Sequence, residues 1–373
     1  MSSPRISGAV PRIAVDARMV GPALHGIARY VTHMVRGLAQ IKAERGLPYE
    51  PIFLVQPGME SSPHFQGFET FTMETPFLAL SEQRAIPAAL RAVRADLYHS
   101  PSFASLISCP CPWVITVMDL NHLQYGGFKE KLYYRLLLKR FARRAQALIT
   151  ISEFAKAEIV DWLGRRGRKD IDLVFPAIEP TLLNRPSDAE LREGLERLGL
   201  KPGGYFLSLS NPKPHKNITL LVEAFQAFRA QGGAADLPLV LSMKEHGDRP
   251  GVRALGPIPE REVRLLLAGA RALFFPSLYE GFGLPPAEAA LAGVRVAASD
   301  IPAHREALQD VAPHEVLWVA PRDYHGWVQA FHRAAREEFS PPSAATAQRI
   351  VQRFSVERLA ETMDQIYRRV LRS

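Results

Sequence analysis

Cysteine is nearly absent from this chain of 373 residues: Cys109 and Cys111 are the only two, one residue apart. They are too close for an ordinary disulfide and too few for a zinc site, so a disulfide framework is excluded and a reducing compartment is expected. Long apolar runs are missing too, and none approaches the length that crosses a bilayer. The opening MSSPRISGAVPR lacks the hydrophobic core of a signal peptide. A cytoplasmic location follows as the expectation. There is no GxGxxG pattern, no Asp-x-Asp at a strand end and no His/Cys/Asp cluster with metal-ligand spacing. Nothing resembles a helix-turn-helix, a zinc finger or an RNA-binding motif, so nucleic acid is the weakest candidate partner.

Acidic residues are in deficit: 46 Lys and Arg against 38 Asp and Glu give a net charge of +8. Such an excess suits an acidic small molecule or an anionic lipid surface. The balance of 47% hydrophobic and 23% charged residues is that of a soluble globular protein. Much of the positive charge falls in KEKLYYRLLLKRFARRAQ, where Lys129, Lys131, Arg135, Lys139, Arg140, Arg143 and Arg144 face one acid, Glu130. Leu132, Tyr133, Leu136, Leu137 and Phe141 interleave at helical spacing. Two readings stand: a solvated helix face on a domain core, or docking on an anionic leaflet, at roughly 1 kcal/mol per exposed basic residue. A second basic cluster follows at Arg165, Arg166, Arg168 and Lys169.

The length suits two domains, each with its own core. Strands are predicted at Arg12–Asp16, Pro51–Val55, Asp96–His99, Trp113–Val117 and Ala147–Ile151, with helical stretches between most of them. A proline-rich connection, VFPAIEPTLLNRPS, separates them from a second series. There YFLSLS, PLVLSM, ALFFPS and VRVAAS read as strands, and NITLLVEAFQAFRA, EREVRLLLAGA and the segment after Leu284 as helices. Alternation of this kind argues for parallel sheets covered on both faces, an α/β class. The expected division is residues 1–183 and 184–354, with a last helix at 355–373 carrying Leu359, Met363, Ile366, Tyr367 and Val370 on one stripe.

The most informative stretch is PSLYEGFGLPPAEAALAGVRVAASD. Gly281 and Gly283 fall at a strand-to-helix turn, where the free N–H groups of a helix start carry partial positive charge and suit a diphosphate. Without a Cβ, each glycine lets a ligand approach the backbone. Glu280 and Glu288 flank the turn, eight apart, and Glu288 can reach vicinal hydroxyls such as those of a ribose. The competing reading makes Glu280 a helix-cap neighbour and Glu288 a solvated helix residue. The order strand, Pro276, Glu280, Gly-Phe-Gly, Pro, Glu288 nevertheless closely resembles the carboxylate signature of retaining glycosyltransferases of the two-domain GT-B fold, in particular glycosyltransferase family 4.

That resemblance spans nearly the whole chain, from RIAVDAR to the last helix. It implies two Rossmann-like domains facing across a cleft, with the final helix crossing back onto the first domain. It implies that Glu280 binds donor-sugar hydroxyls and Glu288 the ribose, that Phe282, Gly283 and Leu284 present backbone donors, and that Gly26 meets the diphosphate. Lys216 and Asn217, in SLSNPKPHKNITLL, match the family's Lys-Asn or Lys-Gly pair, whose lysine contacts the diphosphate. The physical need is plain: a fixed cation stabilises the departing nucleoside diphosphate more than the ground state. No cofactor and no metal are expected, Lys216 and the turn at Gly283 taking the place of Mg²⁺.

Two departures from the family pattern stand out. Asn211 occupies the place of an arginine common in relatives, and Lys213 offers only a point charge as substitute. In TVMDLNHL, Asp119 is kept but Met118 stands where a histidine would approach the sugar 6-hydroxyl. A thioether donates no hydrogen bond. An unpaired 6-hydroxyl would lose about 0.5–1.5 kcal/mol, and a methyl group would gain roughly 0.8 kcal/mol. The expectation is a preference of one to two orders of magnitude at most for a 6-deoxyhexose such as rhamnose, from a GDP- or dTDP-sugar, over mannose from GDP-mannose. His122 could instead take over the polar role, and His99 is a candidate acceptor contact.

The sequence thus predicts a retaining, metal-independent hexosyltransferase with Lys216, Glu280 and Asp119 at its centre. The basic helix suggests a lipid-linked glycan acceptor at the inner membrane face, as in surface polysaccharide or O-antigen synthesis. A nucleotide-sugar epimerase of the same fold and a non-catalytic nucleotide-sugar-binding partner are the alternatives.

Overall fold

The computed structural model describes residues 10–21, 26–164, 170–234 and 236–373. The chain divides into two units: residues up to Ala177 together with Val356–Ser373, and Ile178–Ser355. The basic cluster at 165–169 and residues 22–25 of the loop before Gly26 lie outside the described residues.

The first unit is built on seven strands: β1 (Arg12–Asp16), β2 (Glu50–Val55), β3 (Glu69–Thr72), β4 (Leu97–Ser100), β5 (Trp113–Thr116), β6 (Ala147–Thr150) and β7 (Asp172–Leu173). They pair in the order β3-β2-β1-β4-β5-β6-β7, all parallel. Strands β4 and β6 are buried at every position, as expected where helices cover both faces. The short β3 and β7 escape sequence reading because neither carries an apolar run; both are edge strands recruited by pairing with a neighbour.

The helix Gly26–Arg45 packs on the last helix, Val356–Arg372, so the chain's end belongs to the first unit. Contact is close at Gly37, where a methyl group would collide with Ala360. Tyr49 Oη donates to Asp364 at 2.8 Å, and Tyr367 lies edge-on to Tyr49 at 5.6 Å. The apolar stripe legible in the sequence is what this helix buries.

In the second unit six strands, β8 (Phe206–Ser208), β9 (Leu239–Leu241), β10 (Val252–Ala254), β11 (Ala272–Phe275), β12 (Arg295–Ser299) and β13 (Val316–Val319), form a parallel sheet ordered β10-β9-β8-β11-β12-β13. Its core is rich in phenylalanine: Phe206, Phe225, Phe228, Phe274 and Phe331 pack at centroid distances of 4.1 to 6.5 Å. A further helix, Ala344–Arg353, capped by Ser343, packs on the helix Leu284–Leu291.

Candidate active site

In open parallel sheets, ligands bind beyond the carboxyl ends of strands where the strand order reverses. In the second unit that place lies between β8 and β11, which are adjacent although five elements of chain connect them. The loop after β8 carries Lys216, and the loop after β11 carries Glu280. The two meet. Lys216 Nζ lies 2.6 and 2.9 Å from the two carboxylate oxygens of Glu280, and Ser277 Oγ donates to one of them at 2.6 Å. Both ion-pair side chains are nearly buried, at 14% and 13% exposed. The Lys216 ammonium also lies 5.4 Å from the Phe275 ring centre. Burial would raise the Glu280 pKa, but the charges of Lys216 and His304 and the bonds from Lys216 and Ser277 outweigh it, so the carboxyl is held below its ordinary value. Glu280 is no cap neighbour; its carboxylate is held in place by Lys216 and Ser277.

Gly283 ends the turn with φ at +119°, a conformation that favours glycine. A Cβ there would come within 2.9 Å of His304 Cδ2. The helix Leu284–Leu291 follows, and Pro285 and Pro286 occupy its first turn. Neither proline has an N–H, so the helix start offers fewer backbone donors than the sequence argument supposed; Leu284 and the Gly281–Gly283 turn must provide them. Phe282 turns its ring into the protein, edge-on to Phe354 at 5.0 Å, and leaves only its main chain for a ligand. Glu288 is 2% exposed, which excludes a solvated helix face.

Asn217 differs from expectation. Its backbone is left-handed, and its side-chain amide donates to Pro276 O at 3.2 Å and Pro321 O at 2.8 Å. That side chain ties the β8 loop to the ends of β11 and β13, which orients its neighbour Lys216. The side chain thus acts as a strut between the loops. Asn211 and Lys213 are exposed, and Asn211 Oδ1 accepts from the Lys213 main chain at 3.3 Å.

In the first unit the corresponding loops follow β1, β4 and β5. Gly26 opens its helix, and a Cβ there would meet no other atom of the protein. Met118 and Asp119 are half-buried just beyond β5, and Asp119 accepts the Asn121 N–H at 3.0 Å. His122 packs between Phe103 and Tyr134, at 5.2 and 5.5 Å. His99 is a correction. It is wholly buried, with Nδ1 2.6 Å from Tyr367 Oη and Nε2 2.9 Å from Thr116 Oγ1. Both ring nitrogens are used inside the unit, so none remains for an acceptor, and burial pushes the ring pKa down to about 3.

Sequence reasoning missed Ser277 and His304. Ser277 stands three residues before Glu280, a spacing that signals a local side-chain bond once the turn is known. His304, in SDIPAHRE, gives no local signal, because only the pairing of β11 with β12 brings its helix against the Gly283 turn.

Comparison with known proteins gives two family matches in tandem. Residues 24–182 match the family described as Glycosyltransferase Family 4, and residues 196–353 match Glycosyl transferases group 1. An O-antigen chain mannosyltransferase B from Escherichia coli is 26% identical over 327 residues, covering 77% of this chain and 82% of that protein. The O-antigen chain mannosyltransferase RfbU of Salmonella typhimurium is 28% identical over 227 residues, 58% of this chain and 59% of its own length. Among solved structures, the Anabaena protein Alr3699/HepE in complex with UDP and glucose superposes with a TM-score of 0.71 at 15% identity, covering 96% of this chain and all of that one. With both matches in tandem and a Rossmann-like parallel sheet under each, the chain is a GT-B protein made of a family 4 and a group 1 glycosyltransferase domain.

Proposed function

We propose that this protein transfers a hexose from a nucleoside diphosphate donor to a glycan acceptor, with the anomeric configuration retained and without a metal. The observation that carries this reading is the Lys216–Glu280–Ser277 cluster at the strand-order reversal of the second unit. An ammonium held beside a carboxylate serves both parts of such a donor. The carboxylate accepts from sugar hydroxyls, and the ammonium meets the charge that grows on the leaving diphosphate. The mannosyltransferase names of the relatives and the UDP and glucose of the Anabaena structure support a nucleotide-sugar substrate. Transfer assays with GDP-mannose, GDP-rhamnose and UDP-glucose, read by NMR of the new anomeric centre, test the reading. Transfer with retention that disappears in Glu280→Ala supports it; inversion, donor epimerisation without acceptor, or the absence of both turnover and binding overturns it.

Within this reading, Met118 favours a 6-deoxyhexose donor, and the kcat/KM ratio for GDP-rhamnose over GDP-mannose tests it. A preference for mannose ends that part. The acceptor is proposed to be lipid-linked. The helical run from Phe128 to Arg144 contains a π-turn at Tyr134–Leu138. Along it Phe128, Leu132 and Leu136 are 81, 44 and 64% exposed at four-residue spacing, beside exposed Lys129, Arg135 and Arg140. The sequence left open whether these apolar residues pack on a core or face a leaflet; in the structure Phe141 packs inward, while Leu132 and Leu136 face out. Apolar side chains flanked by cations suit an anionic leaflet. No described helix is long and apolar enough to cross a membrane. Sedimentation with vesicles containing phosphatidylglycerol, against pure phosphatidylcholine, tests the docking.

A further inference from the structure

His304 carries a buried ring nitrogen without a hydrogen-bond partner. It sits in the short helix Pro302–Ala307, 0% exposed, with its ring tilted against Phe275 at a centroid distance of 5.4 Å. Its Nδ1 lies 2.9 Å from Ser299 O, a pure acceptor, so Nδ1 carries the proton and Nε2 bears a lone pair. That Nε2 is buried and has no hydrogen-bond partner. It lies under Gly283, 3.7 Å from where a Cβ would stand. A buried polar atom without a partner is costly and calls for a physical explanation.

The charges around the ring are specific. Glu280 favours the imidazolium and Lys216 opposes it, while burial favours the neutral ring. The other nearby ions, Asp300 and Arg305, pair with each other at 2.7 and 2.8 Å, and Arg305 lies over Trp318. His304 therefore responds to one ion pair, Lys216–Glu280.

Resting on the function proposed above, we infer that His304 is a positioning residue for Glu280, taking up a proton to become its counter-charge when an anionic ligand draws Lys216 away. The step is a simple protonation: the Nε2 lone pair forms an N–H bond with a proton from solvent, and no other bond changes. A diphosphate competes with Glu280 for the single ammonium at Lys216. Without a second cation, the carboxylate would be left nearly buried and unpaired, which in proteins favours its neutralisation. A neutral acid would lose the acceptor strength needed to hold sugar hydroxyls. With Lys216 displaced, its opposition to the imidazolium is gone and the attraction of Glu280 remains, so the proton goes to the ring instead. The ring is neutral in the resting state, its pKa lowered to about 4.

The test begins without any ligand. In protein labelled with ¹⁵N-histidine, the His304 ring, assigned with His304→Gln, is titrated in the wild type, in Lys216→Met and in Lys216→Met/Glu280→Gln. The expected result is a neutral ring above pH 6 in the wild type and a midpoint raised by at least about one pH unit in Lys216→Met. The double variant should reverse that rise, and His99, equally buried and lowered by burial alone, should not move in any of them. An unmoved His304 midpoint in Lys216→Met, or an equal rise in the double variant, overturns the inference. Lys216→Gln gives the same comparison should the methionine variant not fold. In a second arm, GDP and UDP binding at pH 7 is measured calorimetrically in phosphate and in Tris. Proton uptake on binding that is lost in His304→Gln supports the inference, and binding without uptake overturns it. An absence of binding by either nucleotide counts against the proposed function, while the ligand-free titration still decides the role of His304.

Discussion

The two sheets present the same topological opportunity and spend it differently. At the end of β1, Arg18 lies beside Asp16, with Nε and Nη2 at 2.9 and 2.7 Å from its two oxygens, and Nη2 at 2.8 Å from Glu82. Nη1 adds the carbonyl of Thr75 at 3.0 Å. Every side chain there is at most 4% exposed. Burial opposes the charge on Arg18, yet Asp16 and Glu82 outweigh it and raise its pKa. At the end of β8 and β11, a single lysine meets a single glutamate and keeps some exposure. A guanidinium held by several fixed partners is a structural clamp. An ammonium on a four-carbon stem with one carboxylate partner can be exchanged for a ligand. Of the two charge clusters, only the one at the end of β8 and β11 leaves a cation that a ligand could take.

Breaking each cluster should separate stability from activity. Arg18→Met leaves Asp16 and Glu82 buried without a counter-charge, and should cost about 3–5 kcal/mol in urea unfolding. Glu280→Ala should lower kcat by roughly 10²- to 10³-fold, the scale of losing one preorganised transition-state contact, while shifting the urea midpoint far less than Arg18→Met does. Equal loss of stability in both variants would erase the distinction drawn here.

Acid sharpens the comparison. His99 and His304 are held neutral, with pKa values near 3 and 4 against an ordinary 6.5. Below pH 6.5 the unfolded chain binds protons that the folded chain refuses. Stability should therefore fall by about 1.4 kcal/mol per pH unit for each ring, down to the folded values. Glu280 acts in the same sense: its depressed pKa stabilises above pH 4.5, and that contribution is lost as pH falls through the folded value. Unfolding free energies from pH 7 to pH 4.5 should show this slope, halved in His99→Gln if that variant folds. The smallest effect is expected at Tyr367→Phe, which removes the partner of His99 Nδ1. About 1–3 kcal/mol of stability should be lost in urea unfolding, with turnover unchanged.

The alternation of strand and helix, and the Glu280–Gly283 turn, were readable because each rests on neighbouring residues. Apolar runs made β1, β6 and β11 visible, whereas β3 and β7 exist only through their partners. His99 looked available in LYHSP because a strand end is an open place; Tyr367, 268 residues on, closes it. Asn217 read as part of a ligand pair, and its bonds to Pro276 and Pro321 made it a strut.

What the sequence determined alone is the α/β alternation in two series and the glycine turn between two carboxylates; Lys216 was singled out through the family resemblance. The alternation and the turn are local, set by periodicity and by which residues tolerate a tight turn. Only the tertiary structure decided that Lys216 reaches Glu280, that Arg18 is sealed away, and that His304 lies under Gly283 with a vacant nitrogen. Each of those depends on which strands become neighbours in a sheet, and burial and field at a point in space belong to that arrangement and to no single stretch of chain.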